Sequence, residues 1–269
     1  MSIETSSRIF DAIRERALPG GLSDAQLAEI VGYIARSAIF RRRTSEFEAA
    51  RGRIEFEKEE KNYFWDNAGV PTVYLAPSYK NDNPAGSSAD ISSITQVIAH
   101  EMSHFETYFP TGIGINPNNE PDENSAGAAG VRDEARAYAL EYLVQHEINA
   151  SEPRLNWLQP SQEEGCRAAI SALPPGAGEI EQLDAAALAI LNWAANWTDD
   201  ESKGGYFQYY QNYWLTANSK GRAIASNAVD VRCDGDGNIF EVVFTDVQEG
   251  RRRRAVIDPA IGRFMPRTS

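Results

Sequence analysis

The residues of this chain best suited to metal chemistry lie in the stretch VIAHEMSHFETYF, which runs from Val97 to Phe109. His100 and His104 stand four residues apart, and Glu101 follows the first of them. Two histidines one helical turn apart can direct ring nitrogens to one Zn²⁺ ion, and a glutamate beside them can take a proton from an attacking water. The spacing therefore predicts a catalytic zinc site. The alternative is a helix that carries two ordinary histidines.

The apolar residues around this motif predict the helix that must carry it. At 100° per residue, one narrow stripe collects a set of apolar side chains. These are Ile91, Ile94, Ile98, Met102, Phe105 and Phe109. His100 and His104 fall together on the opposite side, and Asp90 can cap the start of the helix. The core stripe thus predicts that both imidazoles are presented on one face.

His100, Glu101 and His104 match the H-E-x-x-H helix of the zincin metallopeptidases, and the chain resembles that superfamily over this helix and its surroundings. The metzincin extension would need Gly at position 107 and His at position 110, where this chain has Thr107 and Pro110. The resemblance implies zinc-dependent hydrolysis of a peptide bond, with Glu101 as the general base.

The resemblance also implies a third metal ligand downstream. A gluzincin-like pattern uses a glutamate on a second helix, and the segment VRDEARAYALEYLVQHEI, which begins at Val131, offers Glu134. Two antiparallel helices joined by a loop can bring such residues to one metal. The expected ligands are therefore His100, His104 and Glu134, with one coordination position open for water.

Other side chains remain alternatives for the third ligand: Asp133, as in an aspzincin-like site, Glu141 and His146. His146 is expected to be an ordinary histidine of the helix end, because twelve residues separate it from Glu134 by about 18 Å along one helix. Some tyrosines are candidates for orienting a ligand or stabilising an oxyanion, although aromatic residues at helical spacing pack in cores more often. They are Tyr138, Tyr206, Tyr209, Tyr210 and Tyr213.

The charge of the chain limits its partners. Its 269 residues carry a net charge of -13 and a pI of about 4.8, so its field repels phosphate. Nucleic acid and anionic membranes are therefore not expected partners. Two arginine runs, 41–43 and 251–254, are interpreted as solvated faces or strand edges.

Cysteine content and the N-terminal segment bear on location. Cys166 and Cys233 are far apart and form no C-x-x-C pair, so two free thiols in a reducing compartment are expected. The first residues show no apolar signal segment, and no stretch approaches transmembrane length. We expect a cytoplasmic protein, or one that is secreted without a Sec signal peptide.

The residue pattern predicts one domain over 1–269, of the α+β class and mainly helical with a zincin-like core. Its expected parts are N-terminal helices over 1–64, the motif core over 65–150, a helical part over 151–222 and β-hairpins over 223–269. The segment DGDGN at 234–238 lacks the later residues of a calcium loop and is interpreted as a hairpin turn.

Four local features within these parts predict elements. Ser23 and Asp24 can begin a helix. The charged stretch 47–65 predicts a continuing exposed helix, and VPTVYLAP at 70–77 predicts a strand bounded by prolines. The segment 110–130 is rich in Gly, Pro and Asn and predicts a long loop, so the second motif helix is expected to begin at Val131.

The expected activity is that of a zinc metalloendopeptidase acting on a protein or peptide, with strand TVYL at 72–75 as the edge on which an extended substrate pairs. The chain resembles metallopeptidase domains of bacterial secreted effectors and toxins, which implies an inhibitor or immunity protein as a partner. A housekeeping cytoplasmic peptidase is the other biological role considered. The alternative from another class is a non-catalytic interaction protein with a structural zinc or a coincidental motif.

Overall fold

The structure of the chain is a computed structural model. It describes residues 8–14, 20–67, 69–80, 90–108, 120–151, 155–197, 205–220, 226–234, 238–246, 251–258 and 263–267. The chain divides into two compact units, Met1–Gly112 with Leu140–Gln159, and Ile113–Ala139 with Pro160–Ser269. The prediction of a single domain over 1–269 stays a prediction.

Two helices begin the first unit. Helix α1 (Asp24–Arg36) starts at a capping box. The Ser23 hydroxyl accepts from the backbone N–H of Gln26, and the Gln26 side chain accepts from the backbone N–H of Ser23. Helix α2 (Ala38–Ala49) is capped by Ser37. The predicted start of a helix at Ser23 and Asp24 is confirmed.

Helix α2 ends at Ala49, so the prediction that an exposed helix continues through 47–65 is wrong. Arg51 adopts a left-handed conformation with φ of 61°. Its N–H donates to the carbonyl of Glu48 at 2.9 Å, and that of Gly52 donates to the carbonyl of Phe47 at 2.8 Å. These two bonds are those of a Schellman motif, which terminates a helix.

The stretch beyond this turn forms a three-stranded sheet from β1 (Arg53–Phe56), β2 (Tyr63–Asn67) and β3 (Val70–Leu75). The strand order is β1-β3-β2, with β1 parallel and β2 antiparallel to β3. The predicted strand at 70–77 is therefore confirmed. Its predicted role as a pairing edge at 72–75 is wrong, because β3 is the central strand and both of its edges are paired.

Helix α3 (Ile91–Tyr108) carries the histidine motif. As predicted, Asp90 caps it, since the carboxylate accepts from the backbone N–H of Ser92 at 3.0 Å and from the Ser93 hydroxyl at 2.7 Å. The predicted apolar stripe from Ile91 to Phe105 is buried, and α3 packs against α1, α2, β2 and β3. Phe109 lies outside the described residues.

Helix α4 (Glu123–Asn149) begins within the segment predicted to be a loop. Asp122 caps it by accepting from the backbone N–H groups of Asn124 and Ser125, at 3.0 and 2.9 Å. The prediction of a loop over 110–130 is therefore wrong from Glu123 onward, and residues 110–119 lie outside the described part. Glu134 consequently lies in the interior of the helix and not in its first turn.

The second unit contains helices α5 (Pro160–Ser171), α6 (Glu179–Asn196) and α7 (Tyr206–Ala217). Strands β4 (Ser226–Cys233), β5 (Ile239–Asp246), β6 (Arg251–Asp258) and β7 (Arg263–Arg267) form an antiparallel sheet in sequence order. Asp234 and Asn238 close the β4–β5 connection through mutual hydrogen bonds, as expected of a hairpin turn. The described residues thus confirm an α+β fold that is mainly helical and has short strands and a C-terminal antiparallel sheet.

The two arginine runs differ from the prediction in part. Arg43 is 2% exposed, so the run 41–43 is not wholly solvated. The run 251–254 lies on β6, which pairs with β5 and β7 and is not an edge strand. On that strand Arg254 is exposed and forms an ion pair with the buried carboxylate of Glu241.

Both cysteines carry free thiols, and Cys166 is fully buried. Burial raises the pKa of the Cys166 thiol to about 12 and also raises the pKa of Cys233. A thiol that stays protonated is a poor metal ligand and a poor nucleophile. Among the described residues, no helix combines the length and the apolar character needed to cross a bilayer.

Candidate metal centre

Helix α3 presents three polar side chains of the motif at nearly buried positions. The side chain of His100 is 12% exposed, and those of His104 and Glu101 are 9% and 8% exposed. The two imidazole centroids are 5.1 Å apart. The Glu101 carboxylate approaches His104 Nε2 to 3.9 Å. One turn of helix therefore places two ring nitrogens and a carboxylate in one sheltered region.

His100 is oriented by a carboxylate on α4. Its Nδ1 lies 2.6 Å from Oε1 of Glu141, which is 1% exposed. Gln96, one turn earlier on α3, donates its side-chain amide to the other Glu141 oxygen at 2.6 Å. An Nδ1–H that donates to a carboxylate leaves the Nε2 lone pair for a metal, and this arrangement recurs around metal-binding histidines. Glu141 was an alternative third ligand from the sequence. In the structure it instead contacts Nδ1 of the candidate ligand His100.

A third candidate ligand on α4 joins the two histidines. Glu134 is seven residues before Glu141 on the same continuous helix, which places both side chains on one face, two turns apart. One ligand atom from each of His100, His104 and Glu134 lies within 4.8 Å of the other two. The residues expected from the sequence to bind one ion are therefore brought together.

Tyr210 on α7 holds the Glu134 carboxylate. Its phenolic hydroxyl donates to Glu134 Oε1 at 2.7 Å, and Glu134 itself is 5% exposed. A buried carboxylate that accepts a hydrogen bond has a restricted orientation, and its remaining lone pairs can bind a metal.

The remaining candidates lie elsewhere. Asp133 is buried but is not part of the converging group. His146 is exposed in the last turn of α4 and stacks on Tyr142, as expected of a helix-end histidine. Tyr138 packs edge-to-face against Trp193, with ring centroids 4.7 Å apart.

The other tyrosine candidates lie on α7. The rings of Tyr206 and Tyr209 continue the aromatic cluster around Tyr138. Tyr213 is 38% exposed on the surface of α7. Tyr210, on the same helix, donates a hydrogen bond to the candidate ligand Glu134.

Sequence reasoning did not assign the roles of Glu141, Gln96 and Tyr210. Gln96 and Glu141 each lie on the same face of their helix as a proposed ligand, four residues before His100 and seven after Glu134. That periodicity is a weak signal for residues that support a ligand. Tyr210 is 76 residues from Glu134, and its contact depends on the packing of α7 on α4, for which no local pattern exists.

The donor set fits a divalent metal of the zinc type. Two imidazole nitrogens and one carboxylate oxygen are the protein ligands of many catalytic zinc sites. Hydrogen-bonded partners orient two of these three residues, His100 through Glu141 and Glu134 through Tyr210. None of the protein-family models, curated proteins or solved structures compared with this chain matches it significantly.

Proposed function

We propose that this protein is a zinc-dependent metallopeptidase with His100, His104 and Glu134 as metal ligands and Glu101 as general base. The observation that carries the proposal is the convergence of one ligand atom from each of these three residues within 4.8 Å. A carboxylate that is not needed as a ligand stands beside them. This combination is the minimum that metal-assisted hydrolysis of an amide requires.

The residues have separate tasks in this proposal. The imidazoles of His100 and His104 and the carboxylate of Glu134 hold the ion. Bound zinc supplies Lewis acidity, which polarises a carbonyl and makes water more acidic. Glu101 accepts the proton of the attacking water and delivers it to the leaving amine. Its low exposure limits the solvent that competes for the carboxylate.

The substrate strand is proposed to pair with β2. The sequence assigned this role to residues 72–75, but β3 has no free edge. Among the described strands, β2 has β3 as its single neighbour. On the other outer strand, β1, the N–H of Ile54 already donates a hydrogen bond to the carbonyl of Ile9. Helix α3 packs on β2, so a peptide along that edge would run beside the motif helix.

The proposal is tested by Glu101→Gln. Glutamine is nearly isosteric, so we expect the variant to keep its fold and to bind one zinc per chain. It cannot accept the proton, so peptide hydrolysis should fall by about 10²–10⁴-fold. Zinc content is measured by elemental analysis after reconstitution, and turnover by mass spectrometry on a peptide library. Glu29→Gln, at an exposed position of α1, is the matched control.

Two results would overturn the enzyme proposal. Reconstituted wild-type protein that holds no zinc would remove the ligand set. A Glu101→Gln variant with full biological activity would show that the protein acts by binding, as a non-catalytic interaction protein would. The roles of exported effector or toxin, and an inhibitor protein as partner, stay predictions from the sequence.

A further inference from the structure

We infer that Tyr210 is a positioning residue for the metal centre, which fixes the orientation of the Glu134 carboxylate before an ion arrives. This inference rests on the proposed ligand set and adds a residue from α7 to it. Tyr210 does not contact the reacting atoms in this assignment; it acts through Glu134.

The hydrogen bond itself is the first observation. Tyr210 Oη donates to Glu134 Oε1 at 2.7 Å, a short distance that is typical of a hydroxyl bound to a carboxylate. A glutamate side chain has three rotatable bonds, and fixing them costs free energy when a ligand binds. Because the phenol already holds one oxygen of Glu134, part of this conformational entropy is lost on folding and not on metal binding. The carboxylate is therefore oriented before the metal binds.

The second observation is that the Tyr210 ring has a prepared place on α4. Gly130 lies one turn before Glu134 on the same helix, and a Cβ built on it would lie 2.0 Å from Cδ2 of the Tyr210 ring. No residue with a side chain fits there without displacing the ring. Glycine in a helix interior costs about 0.5–1 kcal/mol relative to alanine, so the position is explained by the approach of the ring.

Neighbouring contacts hold α7 in the same register along α4. A Cβ on Gly127 would lie 2.9 Å from the ring of Phe207. The Gln211 side-chain amide donates to the Asn124 side chain at 2.8 Å. Contacts on either side of Tyr210 thus anchor α7. The packing of α7 on α4 therefore fixes the position of the Tyr210 hydroxyl.

The test compares the zinc affinity of Tyr210→Phe with that of wild type, by competition with a chromophoric chelator. The variant removes one oxygen and keeps the ring in its place. Loss of a residue that orients a metal ligand typically costs 10–100-fold in affinity, and that loss is the expected result. Tyr213→Phe, on the exposed side of the same helix, is the matched control and should bind zinc as wild type does.

A second variant guards against an effect on folding. Gly130→Ala keeps the hydroxyl but displaces the ring, so it should also weaken zinc binding, although alanine favours the helix. The absorption spectrum of the Co²⁺-loaded protein should change in both variants, because a less constrained carboxylate alters the ligand geometry. Unchanged zinc affinity in Tyr210→Phe would overturn the inference, whatever Gly130→Ala shows.

The outcomes separate this inference from the proposed function. Wild-type protein that binds no zinc overturns both. Wild-type protein that binds zinc with unchanged affinity in the Tyr210 variant overturns only the positioning role. A loss of affinity in Tyr210→Phe in a protein that cleaves no peptide would support the positioning role and refute the peptidase.

Discussion

Two of the three proposed ligands, His100 and Glu134, have a neighbour that orients them. His100 is the clearer case, because Glu141 holds its Nδ1 and Gln96 in turn holds Glu141. The three side chains form a hydrogen-bonded chain from the Gln96 amide through the Glu141 carboxylate to the His100 imidazole. Glu141 accepts at one oxygen from Gln96 and contacts His100 with the other, so a change at Glu141 disturbs both contacts.

Glu141→Gln is predicted to weaken zinc binding by about 10–100-fold. The glutamine carbonyl can still accept from His100, but its NH₂ group then faces the NH₂ group of Gln96, and the negative charge is lost. His146→Ala, on the exposed last turn of the same helix, should leave affinity unchanged. Titration of the two apo-proteins with zinc checks this. A wild-type affinity in Glu141→Gln would mean that the contact does not orient His100.

The sequence was informative at the residue scale only where the relevant residues are close along the chain. His100, Glu101 and His104 follow from their spacing on one helix, and the grouping of Glu134 with them agrees with the choice made from the sequence. Tyr210 received no preference over Tyr206 or Tyr209. Which tyrosine of α7 reaches Glu134 depends on how two helices pack, and single-sequence patterns do not encode that.

The elements show where local patterns mislead. The start of α4 has two glycines and three alanines among polar residues, a composition that resembles a loop. Gly127 and Gly130 instead mark the close approach of α7, where Phe207 and Tyr210 fill the space of absent side chains. A helix with small residues on one face is a packing surface. The Asp122 cap was the one local signal that could have indicated an earlier start.

The end of α2 was missed for a related reason. The residue in the left-handed conformation is Arg51 and not a glycine, so the usual C-terminal signal is shifted by one position. Gly52 follows it because a Cβ there would lie 2.5 Å from the Phe47 ring. The turn is thus set by a bulky side chain that folds back over the end of the helix.

Substitutions at Arg51 are predicted to change stability through this turn. A left-handed conformation costs a residue with a side chain about 1–2 kcal/mol and costs glycine little. Arg51→Gly should therefore match or exceed wild type in free energy of unfolding, whereas Arg51→Val should lose about 1 kcal/mol, because β-branched residues avoid φ above zero. Urea denaturation at fixed pH measures both. Equal stability of the Val and Gly variants would contradict the left-handed turn.

At the scale of the whole molecule, the class of fold was predictable and the arrangement of its strands was not. A short run bounded by prolines predicted β3, and turn residues predicted the two C-terminal hairpins, because each is a local pattern. The place of β3 in the centre of its sheet depends on pairing with β1 and β2. The stretch that supplies these two strands is highly charged and was interpreted as helix. An error in one element therefore produced a second error, about which edge is open to a substrate.

Helix α4 carries both the candidate ligand Glu134 and the carboxylate of Glu141 that contacts His100. The helix is continuous, so Glu134 and Glu141 keep a fixed spacing. A metal held by His100, His104 and Glu134 would therefore require both α3 and α4 to stay folded. Metal binding would therefore stabilise the folded state of the chain.

Zinc is accordingly predicted to raise the thermal midpoint of the wild-type protein. A ligand that binds only the native state stabilises it by about 2.7 kcal/mol when its free concentration is 100 times Kd. For a protein of this size, that corresponds to roughly 5–10 °C. His104→Ala removes one of three ligands and should lose most of the shift, while His146→Ala should retain it. Thermal unfolding followed by circular dichroism, with zinc buffered and then removed by a chelator, gives both values. An equal shift in His104→Ala would place the stabilising zinc elsewhere on the chain, because a site that depends on His104 cannot stabilise a protein that lacks it.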